Sequence, residues 1–206
     1  MFRALFLVAL IALPAAAGAA EKPFAVGLKA DLLLPVSDVS ATGALALEMR
    51  YRLPFHERRL AVGADVGWYQ MGGVGDQVDP QLGVYQFDWR LHTLPIHLGL
   101  EYMPPLPELL PGLRPFAEAG FAMSFLWSSA NYVRGDGSRF IEENPGEGLA
   151  TGLYLGAGGA WRLGPGDLVG QFRWVRLVTD MEMPWRNGDG GDVGGSNVYA
   201  GYRLLF

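Results

Sequence analysis

The sequence contains no cysteine and, after its first 20 residues, no long apolar run. Without cysteine among its 206 residues, the chain has no disulfides and no thiolate metal sites. Without an apolar run of about 18 residues, a transmembrane helix is not expected. Basic residues are also in the minority. The chain has 16 Lys and Arg but 21 Asp and Glu, which gives a net charge of −5. This balance argues against a nucleic-acid-binding surface.

The first 20 residues have the features of a secretory signal peptide. Arg3 supplies positive charge, residues 4–13 are apolar, and Pro14 ends the run. Ala17, Gly18 and Ala19 provide small residues for a cleavage site. We predict a signal peptide over residues 1–20 and one barrel domain over residues 21–206. The alternative is an N-terminal membrane anchor, for which the apolar run is too short.

The last ten residues, NVYAGYRLLF, alternate with a period of two. Val198, Tyr202 and Leu204 fall on one face, whereas Asn197 and Arg203 fall on the other, as in a half-buried strand. The same alternation recurs along the chain and predicts eight strands, over residues 24–34, 43–53, 60–70, 84–103, 114–130, 149–163, 167–178 and 197–206. We therefore predict an all-β fold, an eight-stranded antiparallel up-and-down transmembrane β-barrel.

The fourth predicted strand contains an irregularity next to Pro95. Before it, Trp89 and Leu91 share an apolar face opposite Arg90. From Leu94 onward the alternation shifts by one residue, which predicts a β-bulge. Glycine- and aspartate-containing stretches at residues 71–82, 131–148 and 179–195 are predicted to be external loops.

The polar faces of the predicted strands carry charges of both signs. The interior of an eight-stranded barrel is only wide enough for side chains, and charges buried there must be paired. Matched signs predict a salt-bridged interior instead of an open pore. The predicted interior polar network comprises Lys29, Asp31, Glu48, Arg50, Asp65, Asp88, Arg90, His92, His97, Glu101, Glu118, Arg173 and Arg203. Strand glycines on the same face are expected to make room for these side chains.

Aromatic residues on the apolar faces form two girdles when the first strand starts in the periplasm and direction alternates. The predicted periplasmic rim carries Phe24, Tyr51, Tyr102, Trp161 and Phe206. The predicted outer rim carries Trp68, Tyr85, Phe87, Phe125 and Trp127. Such girdles mark the two membrane interfaces. A soluble lipocalin-type barrel is the alternative, but it requires an apolar interior and a polar exterior.

These features resemble the small eight-stranded outer-membrane barrel proteins of OmpA/OmpX type. The likeness includes the terminal VYAGYRLLF, LPIHLGLEY at residues 94–102 and RPFAEAG at residues 114–120. It implies insertion into outer-membrane lipid by the barrel-assembly machinery, which recognises the C-terminal strand. It does not imply a function, because that group includes anchors, adhesins, channels and lipid-modifying enzymes.

The histidines do not match the enzymes of that group. A lipid A deacylase of similar fold has Ser two residues after its His, whereas Leu94 and Gly99 follow His92 and His97 here. No calcium-loop spacing or phosphate-binding context is present, so no metal and no cofactor is predicted. We expect a non-enzymatic outer-membrane protein of a Gram-negative bacterium that acts through its external loops on an unknown ligand or surface. A small pore for ions or hydrophobic solutes is the alternative, and a lipid-modifying enzyme the third.

Overall fold

The computed structural model describes residues 22–35, 42–79, 83–105, 111–134, 139–181 and 191–206. The predicted signal peptide therefore lies outside the described residues. The strands are β1 (Phe24–Pro35), β2 (Thr42–Arg52), β3 (Leu60–Asp79), β4 (Gly83–Tyr102), β5 (Leu113–Arg134), β6 (Arg139–Leu163), β7 (Gly166–Thr179), the two-residue β8 (Gly191–Asp192) and β9 (Gly195–Leu205). A single 3-10 turn covers His56–Arg58 in this part of the chain.

The eight long strands close into one antiparallel barrel, as the sequence predicts. Each strand from β1 to β7 pairs with the next, and β9 pairs with both β1 and β7. Phe24, at the start of β1, and Phe206, just after β9, exchange backbone hydrogen bonds. Every long strand thus has two neighbours, which leaves no unpaired edge along the barrel wall. No helix in the described ranges is long and apolar enough to span a membrane.

Short connections gather at one end of the barrel. Residues 53–59 join β2 to β3, and a two-residue turn at residues 164–165 joins β6 to β7. Gly164 in that turn has φ of 59°, which favours glycine over any residue with a side chain. We call this the short-turn end.

At the opposite end, the strands differ in length. β3 and β4 each have 20 residues, β5 has 22 and β6 has 25, whereas β1 has 12 and β2 has 11. A tilted strand needs about 9–11 residues to cross a membrane. β3 to β6 therefore continue past the height at which the other strands end, and we call this extension the projecting sheet.

Two predicted loops are largely strand in the structure. Most of residues 71–79, 131–134 and 139–148 pair across neighbouring strands, with irregular register between β5 and β6 near Ser128 and Tyr132. Residues 71–79 contain three glycines, and residues 139–148 contain two glycines and a proline, so the alternation of apolar and polar residues that identifies strands is weak there. In the third predicted loop, residues 182–190 lie outside the described residues.

The predicted bulge at Pro95 is wrong. Strand β4 pairs with β5 in one continuous register from Tyr85 to Tyr102. Trp89, Leu91, Thr93, Pro95 and His97 are all on the inward face. The apparent phase shift arises because the inward face changes from polar to apolar along the strand, while the backbone alternation is unbroken.

Candidate functional site

Four basic and four acidic side chains form a buried ion-pair network inside the barrel, nearer the short-turn end. They come from every long strand except β6. Its members are Lys29, Glu48, Arg50, Asp65, Glu101, Glu118, Arg173 and Arg203, each at most 5% exposed. Equal numbers of the two signs give the network no net charge, as paired burial requires.

Arg203 holds one end of the network together. Its Nε lies 2.6 Å from Oε1 of Glu48, and its Nη2 lies 2.7 Å from Oε2 of Glu101. Lys29 adds a second cation to Glu48, with 2.9 Å between Nζ and Oε2. The forked guanidinium contacts of Arg203 and the ammonium contact of Lys29 together hold side chains from β1, β2, β4 and β9 across the barrel axis.

Arg173 joins the other part of the network. Its Nη2 lies 2.7 Å from Oδ2 of Asp65 and its Nε lies 2.5 Å from Oε1 of Glu118. Arg50 approaches Asp65 from the other side, with 2.9 Å between Nη1 and Oδ1. The rings of Tyr154 and Tyr199 lie 4.5 Å and 4.8 Å from the Arg173 guanidinium carbon. This packing of flat aromatic faces on the cation leaves little room for water.

Glycine makes space for the network, as the sequence predicts for the strand glycines that face inward. A Cβ atom on Gly27 would lie 2.6 Å from Oε1 of Glu48 and 3.0 Å from Cγ of Arg203. Any larger residue at this position would displace the ion pair that β1 covers.

A second charge cluster lies at the short-turn end. Asp167 is fully buried and accepts ion pairs from Arg114 at 2.6 Å, Arg162 at 3.4 Å and Arg52 at 3.7 Å. Asp167 and its three arginine partners are not among the residues predicted to form the interior polar network. Extending the alternation of Val169, Gln171 and Arg173 back by two residues would have placed Asp167 on the inward face.

A hydrogen-bonded trio lies on the other side of the ion-pair network. The Asn197 amide donates to Oδ2 of Asp31 and to the Tyr69 hydroxyl oxygen, both at 2.9 Å, and Tyr69 also donates to Asp31. Beyond this trio the interior becomes apolar, with Leu91, Leu126 and Leu177 among its buried residues. The barrel interior therefore has a charged half and an apolar half.

Three residues of the predicted polar interior face outward instead. Arg90 is exposed, and Asp88 and His92 are partly exposed on the same side of β4. The His92 ring lies 5.7 Å from the Trp68 ring, and Trp68 is itself on the outer surface. These three residues face outward because the alternation of β4 is unbroken. Trp89 and Leu91 therefore point inward, into the apolar half of the interior. His97 is inward, buried beside the Tyr154 ring.

Aromatic residues predicted at the membrane interfaces lie on the outer surface, fully or partly exposed, wherever the structure describes their side chains. They are Phe24, Tyr51, Tyr102, Trp161 and Phe206 toward the short-turn end, and Trp68, Phe125 and Trp127 toward the other end. Trp127 stacks on both Trp68 and Phe125, with centroid distances of 6.2 Å and 6.3 Å. The side chains of Tyr85 and Phe87 lie outside the described residues.

Solved structures that are similar to this chain include a bacterial surface protein, a β-barrel domain and an outer membrane enzyme. Neisserial surface protein A has a TM-score of 0.53 and 16% identity, over 89% of this chain and 97% of that chain. The N-terminal β-barrel domain of OprF from Pseudomonas aeruginosa has a TM-score of 0.41 and 14% identity, over 87% and 97%. The outer membrane enzyme PagL has a TM-score of 0.42 and 13% identity, over 87% and 99%.

These likenesses concern the fold. The first, with a TM-score above 0.5, shows that the chain has the fold of a small eight-stranded outer-membrane barrel. No model of a protein family matches the sequence, and no curated protein is similar to it in sequence.

Proposed function

We propose that the protein is an integral outer-membrane protein of a Gram-negative bacterium whose barrel anchors the projecting sheet at the cell surface for contacts with a ligand or another surface. The proposal includes no enzymatic activity. The observation that carries it is the unequal length of the strands, because β3 to β6 extend beyond a barrel whose interior nearer the short-turn end is filled with paired charges.

The outer surface of the barrel suits lipid and not water. Large apolar side chains are exposed on every long strand, among them Leu28 at 58%, Leu45 at 63% and Leu153 at 64%. Soluble monomers rarely expose a continuous apolar patch of this kind. A closed barrel with an apolar band flanked by aromatic residues matches the requirements of a membrane-spanning β-protein.

The ion-pair network inside the barrel favours a role as a membrane anchor over a role as a pore. The network side chains join opposite walls of the barrel through contacts of 2.5–3.5 Å. Removing one ion from such a network leaves its partner buried without a counter-charge, so transient opening is unfavourable.

We expect the purified, folded protein to be electrically silent in a planar lipid bilayer. The physical reason is that the ion-pair network leaves no continuous water path through the barrel. Heat-modifiable mobility on a gel would first establish that the protein is folded. Discrete single-channel currents from folded protein would contradict the anchor proposal and favour a small ion channel.

The projecting sheet presents a mixed surface to the aqueous side. Val74 on β3 and Val84 on β4 are 72% and 61% exposed, and the polar residues Gln86 and Arg90 on β4 and Glu147 on β6 are exposed as well. β3 to β6, with 20 to 25 residues each, exceed the roughly 9–11 residues needed to cross the membrane by about nine residues or more. At about 3.3 Å per residue, a tilted strand would carry this surface roughly 20 Å or more beyond the lipid.

The absence of cysteine makes the orientation directly testable. A Gln86→Cys variant should react with a membrane-impermeant maleimide on intact cells, because this exposed position lies in the projecting sheet. A Pro165→Cys variant, in the exposed turn at the short-turn end, should react only after the outer membrane is opened. The parent chain supplies the unlabelled background.

The opposite labelling pattern would mean that the projecting sheet faces the periplasm. Labelling of both positions on intact cells would mean that the protein does not span the membrane. Either result would contradict the proposed surface role.

Two further parts of the proposal concern assembly and catalysis. The C-terminal strand β9 pairs with β1 to close the barrel, so its recognition by the barrel-assembly machinery would precede closure.

A lipid-modifying activity has no support from the histidines, since His92 lies against Trp68 and His97 is buried beside Tyr154. Lipid A mass spectra that change when the protein is expressed would contradict the non-enzymatic proposal.

A further inference from the structure

The charge cluster around Asp167 holds more cations than its one carboxylate neutralises. Arg114 and Arg162 both pair with Asp167, at 2.6 Å and 3.4 Å, and neither pairs with another acidic side chain among the described residues. Arg52 approaches the same carboxylate at 3.7 Å. Arg114 and Arg162 alone therefore carry one positive charge more than Asp167 offsets.

The carboxylate of this cluster lies beneath the guanidinium groups. The Asp167 side chain is 0% exposed, whereas those of Arg114 and Arg162 are 35% and 52% exposed. Solvent at the mouth of the barrel therefore meets the cations, and Asp167 orients them from the inner side. A buried carboxylate needs one counter-charge, so its own burial does not account for the additional arginines.

Asp167 does not use all the hydrogen-bond donors around it. Each guanidinium group carries five N–H donors, whereas a carboxylate has about four acceptor positions. Arg162 donates one hydrogen bond to Oδ1 of Asp167, through Nη1. Nη2 of Arg114 and Oδ2 of Asp167 are in contact, but neither atom has a well-aligned hydrogen bond within the described part of the chain. Both arginines thus keep donors for a second acceptor.

The cluster lies at the height of the membrane interface. Arg162 directly follows Trp161, which faces outward in the aromatic girdle at the short-turn end. The exposed two-residue turn at residues 164–165 connects the strand of Arg162 to the strand of Asp167, so the rim is low on this side. An anion at the lipid surface or in solution can approach the two arginines over this rim.

We propose that Arg114 and Arg162, oriented by Asp167, bind a phosphate group at the short-turn end. Phosphate oxygens accept paired N–H bonds from guanidinium forks, and a phosphodiester carries one negative charge, which equals the excess on the two arginines. The group comes either from the headgroup of an anionic phospholipid or from soluble phosphate, which present the same oxygens. This inference goes beyond the proposed surface role and does not depend on which compartment the short-turn end faces.

The test uses the folded protein in micelles of an uncharged maltoside detergent, with the arginine Nε–H groups followed by nuclear magnetic resonance. The probes are inorganic phosphate, which replaces chloride at constant ionic strength, and dioctanoyl phosphatidylglycerol. We expect saturable shifts of Arg114 and Arg162. Arg176, which is 66% exposed and pairs with Asp192 near the other end of β7, should show no saturable shift.

The order of the two affinities identifies the source of the phosphate group. Saturation at a lower concentration of phosphatidylglycerol than of inorganic phosphate supports a lipid headgroup, and the reverse order supports soluble phosphate. Saturation by neither probe would overturn the proposal. Dioctanoylglycerol has the same chains without a phosphate, and a saturable shift with this probe would show that the site does not recognise phosphate.

A pair of variants tests the role of the arginines. Arg162→Gln should weaken phosphate binding about tenfold, the lower end of the effect of losing a hydrogen bond to a charged group. Asp167 keeps Arg114 as its partner in this variant, so the barrel should still fold. Arg176→Gln removes a similarly exposed cation at the other end and should leave the affinity unchanged. Unchanged affinity in folded Arg162→Gln, or equal losses in the two variants, would contradict the assignment.

Discussion

Replacing Arg173 by methionine should lower the free energy of unfolding by about 3–5 kcal/mol, the usual loss when one partner of a buried ion pair is removed. Arg173 is fully buried and contacts two carboxylates, Asp65 at 2.7 Å and Glu118 at 2.5 Å. Methionine fills much of the same space but leaves both carboxylates short of a counter-charge. Urea unfolding in lipid vesicles, followed by tryptophan fluorescence, measures the change.

The same strand provides a matched control for this prediction. Arg176 lies three residues further along β7 and pairs with Asp192 at 3.7 Å, but its side chain is 66% exposed. Arg176→Met should therefore cost less than about 1 kcal/mol, as exposed ion pairs usually do. Equal losses from the two substitutions would show that the interior network contributes no more than a surface pair.

A double substitution tests whether the loss comes from the unpaired charge. Adding Glu118→Gln to Arg173→Met removes one of the two carboxylates left behind. The double variant should lose less stability than the sum of the single variants, because the two residues share one interaction. Additive losses would instead mean that each residue acts through separate contacts.

Period-two alternation was sufficient to predict the barrel and most of its interior. In β1 it correctly separated inward Lys29 and Asp31 from outward Leu28, since one face meets lipid and the other meets paired charges. In the projecting sheet this contrast is uneven. Alternation identified residues 84–92 as strand, whereas residues 71–79 and 139–148, which contain several glycines and acidic residues, have the composition of loops.

The wrong assignment of Arg90 and His92 has a related physical cause. The rule that apolar residues face outward holds where the interior is charged, and fails on β4 where the interior becomes apolar. The sequence alone did not indicate this change, because it depends on which strands pair at that height. The convergence of three arginines on Asp167 was not predicted for a similar reason, because the four residues come from four different strands.

Close pairing of two glycines across β4 and β5 should make Gly120 intolerant of any side chain. Gly99 and Gly120 are directly opposite each other, and the Tyr154 ring lies over them. A Cβ atom on Gly120 would lie 2.6 Å from the Gly99 Cα atom and 2.7 Å from the Tyr154 ring, and would also meet the Leu98 carbonyl oxygen. Backbone atoms cannot move aside without breaking the strand pairing, so the strain is not relieved by rotation of a side chain.

Gly120→Val should therefore cost about 3 kcal/mol or more, at the upper end of what overpacking usually costs. The fraction of protein with folded mobility on an unheated gel, after refolding into vesicles, measures the effect. Gly170 on β7 is the matched control, because a Cβ atom there has nothing within 4 Å. The Gly170→Val variant should refold as well as the parent chain. Because valine is β-branched and favoured in strands, its effect on the free energy of unfolding should be neutral or slightly stabilising. If the two valine variants refold equally well, then the close contact between β4 and β5 is not what requires glycine at this position.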